Sequence, residues 1–236
     1  ENLDSFEQLF NHYSASYFAN ALLIPRDRIV AELGNIFNSP VWRGHVLQQL
    51  IEGYVAPAEN VFQRMAQLIP RFFGLNHLFF LRFEFDSKTK NYEMLRELHL
   101  SALHTPHRVG GDEHYCRRWI TTRLLPEAEG SGSAVGAQRS KFVSSDNEYL
   151  NLSYAFRDEL EPHRYGCVTI GILLNQKTPE TISFLEDAAV PQKTVGETCE
   201  RCPLKECQER AAPERTELDP HRYERVRKLL DSFIVD

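Results

Sequence analysis

Three thiols fall within nine positions toward the end of this sequence: Cys199, Cys202 and Cys207. Two thiolates separated by two residues are turned to one side by the intervening chain and can grip one metal ion or one face of a cluster. A third, after four more residues, completes a tripod and leaves one coordination position open. A zinc knuckle would need His at position 207 and Cys at position 212, where the chain has Cys207 and Ala212, and no second CxxC pair exists for a zinc ribbon. The chain holds five cysteines, an odd number clustered in this way, which favours metal ligation over a disulfide framework. Ligand type and spacing leave iron–sulfur and zinc both open. Arg201, Lys205 and Arg210, interleaved with the thiols, suit an anionic iron–sulfur cluster.

A fourth ligand must come from elsewhere in the chain. Cys116 is the candidate, because it stands in His114-Tyr115-Cys116-Arg117-Arg118-Trp119, read as a helix start, although plain packing is the competing role. Cys167 lies in an apolar run and reads as a small core residue. Arg117 and Arg118 suit ligand phosphates, a position near a cluster, or a solvent-facing turn, and Arg82 suits a sensor pocket or a sheet edge.

The elements that must position these residues follow from periodicity. Apolar residues at helical spacing predict an all-helical entry over 2–73, opening on Leu3, Phe6, Leu9 and Phe10. A chain that begins at Glu1 inside such a helix reads as a fragment with an N-terminal portion removed. The aromatic run 78–85, a polar turn and 92–100 predict a β-hairpin. After the Gly110-Gly111 break a helix is expected over 115–125, a mobile Gly/Ser/Ala-rich loop over 127–136, and strands over 139–144, 149–156 and 166–174. A charged amphipathic helix is expected over 220–233. The fold class expected is α+β: a helical lead-in over 1–74, then a GAF- or PAS-like, mostly antiparallel sensor domain over 75–236 with flanking helices, which carries the cysteine segment 197–213 and the final helix.

Composition excludes several functions. A net charge of −6 offers no basic footprint for duplex DNA, and no apolar run approaches the ~20 residues of a membrane span, so a soluble cytoplasmic protein with no membrane partner is expected. No HExxH motif is present for a zinc peptidase. Asp112-Glu113-His114 reads as a solvated turn, and Cys116 beside His114 lacks an orienting third group, so no catalytic residue is assigned and an enzyme is not expected.

The run Cys199, Cys202, Cys207, Arg210, Ala211, Pro213 resembles the CxxCxxxxCxxRAxPP-like ending of the short-chain fatty-acyl transcriptional regulators. Leu78-Phe79-Phe80-Leu81-Arg82-Phe83-Glu84-Phe85-Asp86 is similar to a strand of that family, Cys116-Arg117-Arg118-Trp119 to its CPLW helix start, and the stretches 146–156 and 165–175 to further segments. Tyr17-Phe18-Ala19-Asn20-Ala21-Leu22-Leu23-Ile24-Pro25 is similar to a segment those regulators share with ImmA/IrrE-type metallopeptidases. Glu214 replaces the family's second proline and Arg117 the proline after the cysteine, marking a divergent branch. The resemblance implies the sensing and dimerising part of a bacterial regulator that binds DNA through an N-terminal helix-turn-helix outside this chain. It further implies an acyl-CoA effector, with no ligand-binding residues identified, and a [4Fe-4S] cluster on Cys116, Cys199, Cys202 and Cys207, with Zn²⁺ as the alternative.

Overall fold

The computed structural model describes residues 5–100, 113–145 and 147–214. The expected helix over 220–233, the Gly110-Gly111 break, Leu3, Asp112 and Asp146 lie outside them.

Four helices open the chain: α1 (Phe6–Leu23), α2 (Arg26–Asn38), α3 (Gly44–Glu52) and α4 (Ala58–Phe73). Ser5 starts α1 by accepting the Gln8 N–H on its side chain at 3.2 Å, which satisfies one of the donors a helix start leaves open. Ile29, Leu33, Ile36 and Phe37 give α2 one buried stripe, and Val61, Phe62, Met65, Leu68 and Ile69 do the same for α4. Gly74, at φ +68°, ends α4 in the left-handed conformation that glycine adopts without strain.

The remaining elements are β1 (Leu78–Asp86), β2 (Asn91–His99), α5 (Ile120–Ser131), β3 (Ser133–Phe142), β4 (Glu148–Arg157), β5 (Arg164–Leu173), α6 (Thr178–Thr181) and β6 (Gln192–Val195). The strands form one sheet in the order β2-β1-β5-β4-β3-β6, antiparallel except where β6 runs parallel to β3. The fold is thus α+β, with the expected hairpin at β1 and β2.

Each face of the sheet buries its own core. Leu78, Phe80, Leu150, Leu152, Val168, Ile170 and Ile172 share one cluster with α2, α3 and α4. Phe79, Leu81, Phe83, Phe85, Tyr149, Ala155 and Cys167 pack on the other face with Leu124, Leu125 and Ala128 of α5. Cover on both faces explains why β1 is an almost unbroken apolar run. Polar bonds also join the lead-in to the segment between α6 and β6: the Trp42 N–H donates to Asp187 Oδ2 at 2.7 Å, and the Ser183 N–H to the Phe37 carbonyl at 2.8 Å.

Two expectations are corrected. The helix expected over 115–125 begins at Ile120 and runs through Ser131, while Tyr115 pairs as an isolated bridge with Thr198. The loop expected over 127–136 is the end of α5 and the start of β3. Gly132 (φ +83°) ends the helix by its conformation, and Gly136 serves packing, since a Cβ there would lie 2.9 Å from Ile120 Cδ1. Strand β6 was not foreseen.

Candidate metal centre

The cysteine segment reaches its partner through main-chain pairing. The Cys116 N–H donates to the Glu197 carbonyl at 3.1 Å and the Cys199 N–H to the His114 carbonyl at 2.8 Å, on either side of the Tyr115–Thr198 bridge. This two-bond ladder lays Cys116 beside the loop that carries the other thiols. Trp119 reinforces it, its indole N–H donating to the Gly196 carbonyl at 2.8 Å. A Cβ on Gly196 would lie 3.0 Å from Cys202 Sγ, so glycine permits that close approach.

Cys116, Cys199, Cys202 and Cys207 line one cavity, together with Arg117, Arg118 and Arg210. Cys116, Cys199 and Cys202 are buried, whereas Cys207 is half-buried at the edge of an open groove beside Lys205 and Glu206. Cys167 is fully buried in β5, against the α5 side of the sheet. Burial pushes the Cys116 thiol up to about 11, and the N–H groups of Arg118 and Gly196 oppose this by favouring the thiolate. The Ala211 N–H donates to Cys199 Sγ at 3.3 Å. N–H donors aimed at sulfur are what a metal-bound thiolate requires.

Arg210 holds the loop from inside. Its guanidinium donates to the carbonyls of Cys199 (2.5 Å), Cys202 (3.0 Å) and Leu204. Three carbonyls that no helix or sheet satisfies thereby gain donors. Glu200, also buried, accepts the His114 N–H at 2.9 Å and faces His114 Nδ1 at 2.7 Å. Burial alone would raise the Glu200 carboxyl, but these bonds from His114 hold it below the ordinary glutamate value. Arg201 spans Glu113 (3.1 Å) and Glu197 (3.3 Å) across the same junction. Sequence reasoning placed Arg210 only as nearby positive charge and missed the His114–Glu200 clamp, since no spacing rule links positions so far apart.

The remaining basic candidates are also accounted for. The Arg117 guanidinium lies 3.8 Å from the centroid of the Tyr92 ring, and Arg118 lies 3.8 Å from Glu209. Arg82 faces α4 rather than a pocket or an open edge: it lies 3.6 Å from Glu59, 3.3 Å from Glu84 and over the Phe156 ring.

The four thiols are neighbours without being a finished ligand set. Among the described residues, no three His, Cys, Asp or Glu side chains are grouped closely enough to hold a metal ion. The cavity leaves about 10 Å³ for a water-sized sphere, enough for one ion-sized occupant. The donors, all sulfur, match soft or borderline metals and iron–sulfur clusters. Among the described residues no helix is long and apolar enough to cross a membrane. Compared with models of known protein families, with curated proteins and with solved structures, the chain matches none.

Proposed function

We propose that this chain is the sensing and dimerising part of a bacterial transcriptional regulator, with a GAF-like fold, in which Cys116, Cys199, Cys202 and Cys207 hold a [4Fe-4S] cluster. One observation carries the metal reading: a cysteine distant in sequence is laid by main-chain pairing into the same cavity as the CxxC pair and the third thiol, while the fifth cysteine, Cys167, does not line it. The regulatory reading rests on the resemblance of the cysteine segment to the short-chain fatty-acyl regulators. In that reading DNA is read by a helix-turn-helix outside these residues, and an acyl-CoA acts as effector.

A bound cluster would supply one-electron chemistry and sensitivity to oxidants. The chain's own part is to hold the loop: Arg210 ties three carbonyls, the Ala211 N–H meets Cys199 sulfur, and Arg117 and Arg118 add positive charge near an anionic centre. A change of occupancy would alter the Tyr115–Thr198 junction and, through Trp119, the packing of α5 on the sheet.

The small cavity favours a second reading, one Zn²⁺ pinning the loop to the Cys116 segment with no redox role. Metal and acid-labile sulfide analysis of protein purified without oxygen separates the two. Iron and sulfide near 4:4 per chain, lost in Cys202→Ser and kept in Cys167→Ser, supports the cluster. One zinc without sulfide establishes the staple, and no metal in either preparation overturns both readings.

A further inference from the structure

Helix α1 exposes more large apolar side chains than the rest of the described residues together, eight of fifteen. It is 18 residues long, about 27 Å at the rise of an α-helix, and buries only Asn20. Its last turns are held: Asn20 Oδ1 accepts Asn60 Nδ2 at 2.7 Å, the Arg64 guanidinium lies 5.3 Å from the centroid of the Tyr17 ring, and Ile24, just beyond the helix, is fully buried. Nearer its start the same side of the helix lacks cover among the described residues, with Phe6 81%, Phe10 60% and Tyr13 66% exposed.

These residues form a seam. Phe6, Phe10, Tyr13 and Tyr17 follow one another at intervals of four, three and four, the repeat that keeps one stripe of a helix facing a second helix, and Leu9 flanks it. Phe18, Leu22 and Leu23 lie off the stripe. At about 200 Å² per ring, the exposed parts of the stripe come to roughly 600 Å² per copy. Two copies laid seam to seam therefore cover about 1,200 Å², the lower bound of a specific, stable interface.

A charge fixes the direction of the pair. Arg64 is 4% exposed, its Nε has no hydrogen-bond partner, and among the described residues its guanidinium meets the Tyr17 ring and, at 3.3 Å, Gln67 Oε1, with no carboxylate. A buried cation without a carboxylate is costly, and an acid brought beside it relieves that cost. Glu7 stands exposed in the first turn of α1. In a parallel pair both Arg64 guanidinium groups would lie at one end and both Glu7 carboxylates at the other. In an antiparallel pair with its two-fold axis near His12, Glu7 of one helix lies level with Tyr17 of the other, next to Arg64.

We infer that α1 is the surface through which a second copy of this chain docks, the two helices pairing antiparallel along Phe6, Phe10, Tyr13 and Tyr17 with Glu7 of each copy beside Arg64 of the other. This rests on the dimerising part of the proposed function, to which it gives a surface, and on nothing about the thiols.

The test is sedimentation equilibrium of the full chain beside Tyr13→Glu and Glu7→Lys. Both positions are exposed, so neither substitution enters a core. A dimer is expected for the parent at micromolar concentration, a monomer for Tyr13→Glu, and a dimer about tenfold weaker for Glu7→Lys, where a like charge would face Arg64. A photoreactive benzoylphenylalanine in place of Tyr13 should cross-link to an α1 peptide of a second copy, which mixing ¹⁵N-labelled with unlabelled chain identifies by mass. A parent that is monomeric at tens of micromolar overturns the inference, whether it stays free or adsorbs to lipid vesicles. So does a dimer that persists in Tyr13→Glu or cross-links outside α1, and undiminished affinity in Glu7→Lys overturns the antiparallel arrangement. Metal content is read separately, so a monomer that carries its full metal sinks this surface alone, and a dimer without metal sinks the cluster alone.

Discussion

The indole N–H of Trp119 donates to the main-chain carbonyl of Gly196 at 2.8 Å, so the residue that walls a small cavity under α5 also anchors the point where β6 passes into the cysteine loop. Removing that donor leaves a buried carbonyl unsatisfied. Trp119→Phe keeps most of the packing and loses the bond. It is expected to cost about 1–3 kcal/mol and to accelerate hydrogen exchange at Cys116 and Cys199, whose amides form the ladder. Exchange at those two amides no faster than in the parent would contradict the anchoring role.

Arg210 is the next most exposed weakness of the loop. Arg210→Ala strips donors from three carbonyls, and Arg210→Lys cannot span them with one rigid fork. Both variants are expected to weaken metal retention by about 10–100-fold against a chelator, as losses in the shell around ligands typically do. Global thermal unfolding, governed by the two sheet cores, should shift far less.

The thiols differ in reactivity for reasons visible in their burial. Burial pushes the Cys167 thiol up to about 12, so the reactive thiolate is strongly disfavoured there. Cys207 is partly open to the groove beside Lys205. Iodoacetamide applied to the metal-free native chain should therefore alkylate Cys207 first and Cys167 only after unfolding, a sequence that peptide mass mapping reads directly.

Acid should loosen the tie between the lead-in and the segment that joins α6 to β6. The N–H groups of Ala189 and Trp42 hold the Asp187 carboxyl below its ordinary value. A group whose folded value is depressed contributes stability above its unfolded value, and that contribution disappears as pH falls through the folded one. Asp187→Asn is expected to lower the melting temperature at pH 6 and to flatten its decline between pH 5 and pH 3. Parallel melting curves for the two proteins over that range would remove Asp187 from the account.

Two glycines separate crowding from freedom. A Cβ on Gly171 would fall 2.1 Å from the Phe79 ring, so Gly171→Ala should destabilise by about 1–3 kcal/mol. Gly34, inside α2, has nothing within 4 Å of such a Cβ, and Gly34→Ala should stabilise by roughly 0.5–1 kcal/mol. Chemical denaturation measures both signs.

The same positions explain what the sequence reveals and what it conceals. The helical lead-in was legible because its apolar residues repeat at helical spacing, as Val61, Phe62, Met65, Leu68 and Ile69 do in α4, and β1 because only a strand covered on both faces tolerates so unbroken an aromatic run. The α5–β3 junction was misread because Gly132, Ser133 and Gly136 look like loop composition, whereas Gly136 answers the close approach of Ile120. Strand β6 has four residues, too few for any periodic signal. Of the centre, the three clustered thiols declared themselves by spacing. Cys116 was picked as standing at a helix start, although the helix begins only at Ile120, and the clamp from Glu200 to His114 is a product of tertiary structure alone.

Strand β6 pairs parallel to β3, far upstream in the chain, and leads straight into the cysteine loop. A strand of that kind cannot zip up from an adjacent turn; it waits for its partner to be in place. The loop is therefore among the last parts of the chain to find its position during synthesis, and until then its sulfurs face whatever the surroundings offer. Any metal that the thiols were to take up would then be bound late, after β3 has found its place in the sheet.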